Sequence, residues 1–372
     1  MSCHYNLKII MKKLFVVLSL ITASVLAWAG EPQWHDAAEF PLYGKITDNT
    51  SARYERLPAH FEGISREPVW ELGRNSAGLY VRFRSNSPEI WLKWEPLFNM
   101  TMSHMADTGT KGLDLYALTD EGWRYVRCIR MPEGESSYEV CIPCDAVERE
   151  YMLYLSLYDG VKSLSIGIKE GYQIAQPLRH TPRTEKPVIM YGSSLLQGGC
   201  CSRPGMAYTN ILARRLDREV INLGFSGNAK IDLEIAEYMA SHPDPGVFVL
   251  EYVPNASADL IDEKAEQFFW ILRKAHPNVP IIFTQTPNYP RCYFNTRQRQ
   301  VVEKRNEAQR RVYEKVRKAG EKNVYYIYSD GALGEDGEAT VDGTHFTDLG
   351  MMRYVDHILP TIKKALKAAK VK

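Results

Sequence analysis

From residue 188 to its end the chain alternates five short apolar runs with five helical patterns, and few folds accept that alternation. Residues 188–191, 219–223, 246–253, 279–286 and 323–329 read as strands. Helical periodicity follows each of them, at about 205–217, 233–241, 258–275, 296–319 and 347–369. A strand that returns to the same sheet through a helix runs parallel to its predecessor. Repeated units therefore predict a parallel, flavodoxin-like α/β sheet of five strands covered by helices on both faces.

The half before it has a different period. Leu79, Val81 and Phe83 alternate with Tyr80, Arg82 and Arg84, and Ile90, Leu92 and Trp94 alternate with Trp91 and Lys93. From about 34 to 169 such runs are broken by Gly, Pro, Asn and Asp, which predicts an all-β sandwich or jelly roll. Pro177, Pro182 and Pro187 mark a connector. The expected organisation is an upstream start and signal peptide over 1–29, a β-domain over 30–176, a linker over 177–187 and an α/β domain over 188–372.

The start carries an export pattern. Met11-Lys12-Lys13 is basic, residues 14–26 are apolar, and Ala27-Trp28-Ala29 is a small-x-small cleavage site. A mature chain beginning near Gly30 is expected to be periplasmic or secreted, without stable membrane association. An uncleaved anchor is the alternative, although the apolar run is short of a full span. Lys+Arg 46 against Asp+Glu 45 gives a net charge of +1, so no global field points to nucleic acid. Cys128, Cys141, Cys144, Cys200, Cys201 and Cys292 follow the signal. One or two bridges and buried free thiols are both open readings.

The chemistry concentrates at strand exits, where ligands bind in open α/β sheets. The first strand runs into Gly192-Ser193-Ser194-Leu195, with Gly198-Gly199 beyond. A serine hydroxyl needs a base to become a nucleophile. Val341-Asp342-Gly343-Thr344-His345, after the last strand, offers an imidazole with a carboxylate three residues ahead to fix its tautomer. Acyl transfer also needs donors for a developing oxyanion. Gly224 follows the second strand and Asn255 the third. Tyr252, Tyr289, Tyr293 and Phe346 are candidate cleft or core residues. Neither a phosphate-cradling loop nor a local zinc spacing is apparent, so no metal or organic cofactor is implied.

Ser194, Gly224, Asn255 and Asp342/His345, in that order and each at a separate strand exit, resemble the SGNH or GDSL-type esterases and acylhydrolases. Lys111-Gly112-Leu113-Asp114-Leu115-Tyr116 resembles the Gly-x-Asp-Leu-Tyr signature of the β-domain that precedes such esterases in secreted bacterial proteins. The resemblance implies Ser194 as nucleophile, His345 as general base then acid, and Asp342 as its orienter. The Ser194 and Gly224 N–H groups and the Asn255 amide then form the oxyanion hole. The implied enzyme is a serine esterase removing short acyl groups, most naturally acetyl, from a glycan. Alternatives are a lipase or thioesterase for longer chains, and a carbohydrate-binding protein with a decayed site. One departure stands out: the family's Gly-Asp-Ser-Leu is here Gly192-Ser193-Ser194-Leu195, which leaves Ser193 as an alternative nucleophile.

Overall fold

The computed structural model describes residues 31–178 and 185–370. The segment expected to be an export signal and most of the connector lie outside the described residues. No helix among the described residues is long and apolar enough to cross a membrane.

Ten strands form the first half: β1 Gln33–Asp36, β2 Leu42–Tyr43, β3 Tyr80–Ser85, β4 Glu89–Pro96, β5 Leu113–Thr119, β6 Gly122–Ile129, β7 Tyr138–Pro143, β8 Arg149–Tyr154, β9 Val161–Ile168 and β10 Ile174–Ala175. They make two antiparallel sheets, ordered β1-β9-β4-β7 and β10-β3-β8-β5-β6, with β2 paired to β3. The residues picked out by period-2 alternation, Val81, Phe83, Ile90, Leu92 and Trp94, meet Leu115, Leu153 and Ile166 in one shared core. Trp94 is thus a core residue with no exposed surface.

The second half adds β11 Val188–Gly192, β12 Val220–Gly224, β13 Val247–Glu251, β14 Ile281–Thr284 and β15 Val324–Ile327, all parallel, in the order β12-β11-β13-β14-β15. Helices Tyr208–Leu216 and Asp348–Lys370 cover one face, and Leu233–Ala240, Ala258–Ala275 and Thr296–Lys318 the other. The chain leaves β11 toward one edge and later returns to its other side at β13, so a crevice opens where β11 ends. There the register sets Gly192 level with both Gly224 and Glu251. Arg299–Glu303, Arg310–Glu314 and Arg311–Asp262 ion pairs decorate the long basic helix, which accounts for its charge pattern.

Two local expectations change. The first half is not strand throughout: Phe61–Ile64 and Glu67–Gly73 are helical. Leu57, Phe61, Val69 and Trp70 pack into the core under the parallel sheet, against Leu223 and Tyr238. The two helices are only four and seven residues long, too short to show a period in the sequence. The helix expected from 205 begins at Tyr208, because Pro204–Met206 forms a 3-10 turn. All six described cysteines are free thiols.

The Gly-x-Asp-Leu-Tyr segment joins the two halves. Leu115 faces the β core, whereas Asp114 is fully buried at the junction. Asp114 Oδ2 accepts hydrogen bonds from Arg203 Nη1 at 2.6 Å and from the Gly205 N–H at 2.7 Å. Arg203 Nη1 also donates to the Tyr116 hydroxyl at 2.7 Å. A Cβ on Gly205 would lie 2.4 Å from that hydroxyl, so only glycine admits this approach. Burial raises the Asp114 carboxyl above its ordinary range, opposed by the Arg203 charge.

Candidate active site

β11 ends at Gly192, and the chain turns directly into a one-turn helix, Ser194–Gln197. Ser193 caps that helix: its Oγ accepts the Leu195 N–H at 3.2 Å. The same hydroxyl donates toward the Glu251 carboxyl, 3.1 Å from each oxygen, and the Ser193 N–H donates to Glu251 Oε2 at 2.8 Å. Glu251 is wholly buried, and burial pushes its carboxyl up to about 8 against the Ser193 hydrogen bonds. A neighbouring strand therefore supplies an acid beneath the turn that carries serine where the resemblance expects aspartate. With its hydroxyl spent on the cap and on Glu251, Ser193 is a structural residue of the turn.

Ser194 opens the helix, and its hydroxyl lies 2.9 Å from His345 Nε2. His345 Nδ1 is 2.7 Å from Asp342 Oδ2. The loop that holds this pair is self-contained. Asp342 Oδ1 accepts the N–H groups of Thr344 at 3.0 Å and His345 at 2.8 Å, and Gly343 takes the left-handed conformation (φ 82°) that closes the turn. Burial works to raise the Asp342 carboxyl, but the His345 ring and these backbone donors outweigh it and hold the carboxyl below its usual range. The three residues named from sequence thus form one hydrogen-bonded chain, with Ser194 nine-tenths buried and His345 partly open to solvent.

The expected donors fare unequally. The Gly224 N–H is already committed, donating to Asn222 Oδ1 at 2.9 Å, and a Cβ there would meet the Gln197 backbone N at 2.3 Å. Gly224 is a close-packing residue between β12 and the Ser194–Gln197 helix, and the donor expected of it is engaged by Asn222. The Asn255 side chain sits at the loop after β12, where its Oδ1 accepts the Ala229 N–H at 3.2 Å. Its Nδ2 carries no hydrogen bond among the described residues, nor do the N–H groups of Ser194 and Gly227. Gly227 has φ 69° and open space where a Cβ would be. The sequence offered two glycines in Asn222-Leu223-Gly224-Phe225-Ser226-Gly227, and the one nearer the strand was the wrong choice for a free donor.

Arg56 was not foreseen. It is fully buried and donates to four backbone carbonyls: Asn75 at 2.9 Å, Asn222 at 3.1 Å, Gly224 at 2.8 Å and Leu72 at 2.5 Å. Desolvation lowers its guanidinium to about 9. It ties the β12 exit to the N-terminal half with no carboxylate partner among the described residues, so no charge pattern announces it. Among the candidate cleft residues, Tyr252, Tyr289 and Phe346 are buried, whereas Tyr293 is 72% exposed beside Phe294.

Comparisons with known proteins match both halves of the chain. Residues 185–363 match the GDSL-like lipase/acylhydrolase family, and residues 32–174 match the N-terminal part of SGNH-hydrolase-type esterases, the one known by its Gly-x-Asp-Leu-Tyr signature. No match is found among curated proteins. A crystal structure described as a GDSL-like lipase from Bacteroides ovatus is 36% identical, with 91% of this chain and 98% of that one aligned at a TM-score of 0.85. Two more distant structures share the fold. A salicylyl-acyltransferase of a tetracycline biosynthetic pathway has 14% identity, 90% and 97% coverage and a TM-score of 0.73. An acetyl xylan esterase from Butyrivibrio proteoclasticus has 13% identity, 90% and 100% coverage and a TM-score of 0.52. On its catalytic half, its preceding β half and its likeness along nearly the whole length of the Bacteroides protein, the chain belongs to the GDSL-like lipase/acylhydrolase family of SGNH hydrolases.

Proposed function

We propose that the protein is an exported serine esterase that removes short acyl groups, acetyl above all, from a polysaccharide or oligosaccharide. The observation that carries the reading is the uninterrupted chain Ser194 Oγ–His345 Nε2 and His345 Nδ1–Asp342 Oδ2, at 2.9 and 2.7 Å. His345 takes the Ser194 proton as Oγ attacks the ester carbonyl, and Asp342 stabilises the imidazolium. The N–H groups of Ser194 and Gly227 and the Asn255 amide are the free donors suited to the tetrahedral oxyanion. His345 then passes its proton to the departing sugar oxygen; in the second half the ring deprotonates a water that attacks the acyl-enzyme, and the proton returns to Ser194 Oγ as the acid leaves. The glycan and acetyl parts of the proposal draw on the shared architecture of the acetyl xylan esterase. Export rests on the pattern of residues 11–29.

The test is hydrolysis of p-nitrophenyl esters of increasing chain length, followed by acetate release from a panel of acetylated glycans. Acetyl esters are expected to be the best substrates, and Ser194→Ala is expected to abolish turnover while the fold is retained. Full activity in that variant would overturn the mechanism, and a preference for long acyl chains would overturn the substrate class.

A further inference from the structure

Two side chains that hydrolysis does not use, His104 and Cys200, close on the acid and the imidazole of the triad to form a cluster. His104, Cys200, Asp342 and His345 each offer one ligand atom, and the four atoms lie within 4.8 Å of one another. We infer that these four residues form an inhibitory site for a zinc-like divalent ion, at which metal binding switches off the triad.

The donor set fits that chemistry. Two imidazoles, a thiolate and a carboxylate are the ligands that a borderline-soft, tetrahedral ion selects. The ligands come from three separate segments, which is why no local spacing in the sequence reveals them. His104 comes from the β half, in the loop between β4 and β5, and it is exposed, which leaves an entry path. Its ring centroid is 5.8 Å from that of His345.

Cys200 is placed at some conformational expense. It is a non-glycine residue at φ 65°, in the left-handed region, and its Sγ contacts the His104 carbonyl at 3.3 Å. Gly199 just before it lets the segment come this close: a Cβ there would lie 3.0 Å from His345 Cδ2. Thr108 Oγ1 bonds the Ser202 carbonyl at 2.6 Å and pins the other side of the cysteine segment to the β half.

Antagonism between metal and catalysis follows from the ring. His345 has two nitrogens, one engaged with Asp342 and the other with Ser194. A metal bond to either must break one link of the triad. In the binding step the ion enters as a dication, the Cys200 thiol releases its proton to solvent as the sulfur–metal bond forms, and Ser194 keeps its own proton. No oxidation change occurs. The inhibition half of the inference rests on the esterase reading above; the binding half does not.

The experiment uses the full chain, titrated first with Co²⁺ and then with Zn²⁺. One equivalent of Co²⁺ is expected to give a thiolate-to-cobalt charge-transfer band that Zn²⁺ displaces. Cys200→Ser should lose the band, His104→Ala should weaken binding by about tenfold or more, and Ser194→Ala should keep the band. In parallel, Zn²⁺ should silence ester hydrolysis in the unmodified protein and a chelator should restore it. His104→Ala and Cys200→Ser should keep turning over at Zn²⁺ concentrations that silence the parent. A missing band, a band that survives Cys200→Ser, or equal zinc sensitivity in both variants and the parent would overturn the site. Should the protein prove inactive toward esters, the cobalt titration alone still decides the metal site.

Discussion

Glu251 of β13 holds the Ser193 hydroxyl of β11's exit turn at 3.1 Å, so two adjacent strands share the support of the turn that carries Ser194. Where the family's usual block has its acid inside the turn, this chain carries the acid across the sheet. Because Glu251 is wholly buried with no cation beside it among the described residues, its environment favours the neutral carboxylic acid, which can accept from the Ser193 N–H and still carry a proton.

That carboxyl makes stability depend on pH. Its folded value of about 8 lies above the ordinary 4.5, so the folded chain binds the proton more tightly than the unfolded chain does. The stabilisation it contributes is full below 4.5 and is lost as pH rises toward 8. Glu251→Gln keeps the shape and removes the titration. In thermal unfolding scanned across this window, the variant is expected to decline less steeply than the parent. Identical slopes would show that Glu251 does not titrate as stated.

Moving the acid back into the turn should be costly by itself and tolerable in combination. Ser193→Asp alone places two carboxyls in contact in a buried site, which should lower kcat and stability together. Ser193→Asp with Glu251→Gln leaves one carboxyl with one amide and should recover most of both. A double-mutant cycle on kcat and on urea midpoints measures the coupling.

Asn255→Ala tests the oxyanion donors. Removal of one such donor costs about 10²–10³ in kcat in comparable sites, and KM should change little. Gly224→Ala is expected to fail differently. Its Cβ meets the Gln197 backbone, so the loss should appear as reduced stability and misplacement of the helix carrying Ser194.

Removing the Arg56 guanidinium with Arg56→Met should strand up to three buried carbonyls, those of Asn75, Asn222 and Gly224, while Leu72 keeps the Asn75 N–H. Each unsatisfied buried acceptor costs about 1–3 kcal/mol, so a denaturant titration should show a loss of about 3 kcal/mol or more. Asp114→Ala should cost a comparable amount, since it leaves Arg203 and the Gly205 N–H without their acceptor.

Much of the architecture was legible because it is written in local periods. The five strand–helix units, the bounds of the Ala258–Ala275 helix and the alternation in β3 and β4 all follow from side-chain spacing. The hydrogen-bonded trio was legible for another reason: Asp342 and His345 share a loop, and Ser194 has the glycine-flanked setting of a strand exit. What stayed hidden depends on contacts between distant segments. Nothing in the neighbourhood of Arg56 in sequence announces a carbonyl cluster more than 160 residues away. Glu251 reads as an ordinary strand end until β13 is laid beside β11. Gly224 and Gly227 differ only in which amide is already used, a property of three-dimensional bonding that residue type does not encode.

The compact loop from Asp342 to His345 has a mechanical consequence. The acid and the imidazole ride on a single hairpin-like unit braced by its own amides, whereas the hydroxyl belongs to the sheet. Any shear between the two bodies stretches the serine–imidazole gap and spares the imidazole–carboxylate one. Damage to this protein by heat or distant mutation should therefore leave a poised proton acceptor with nothing in reach to accept from.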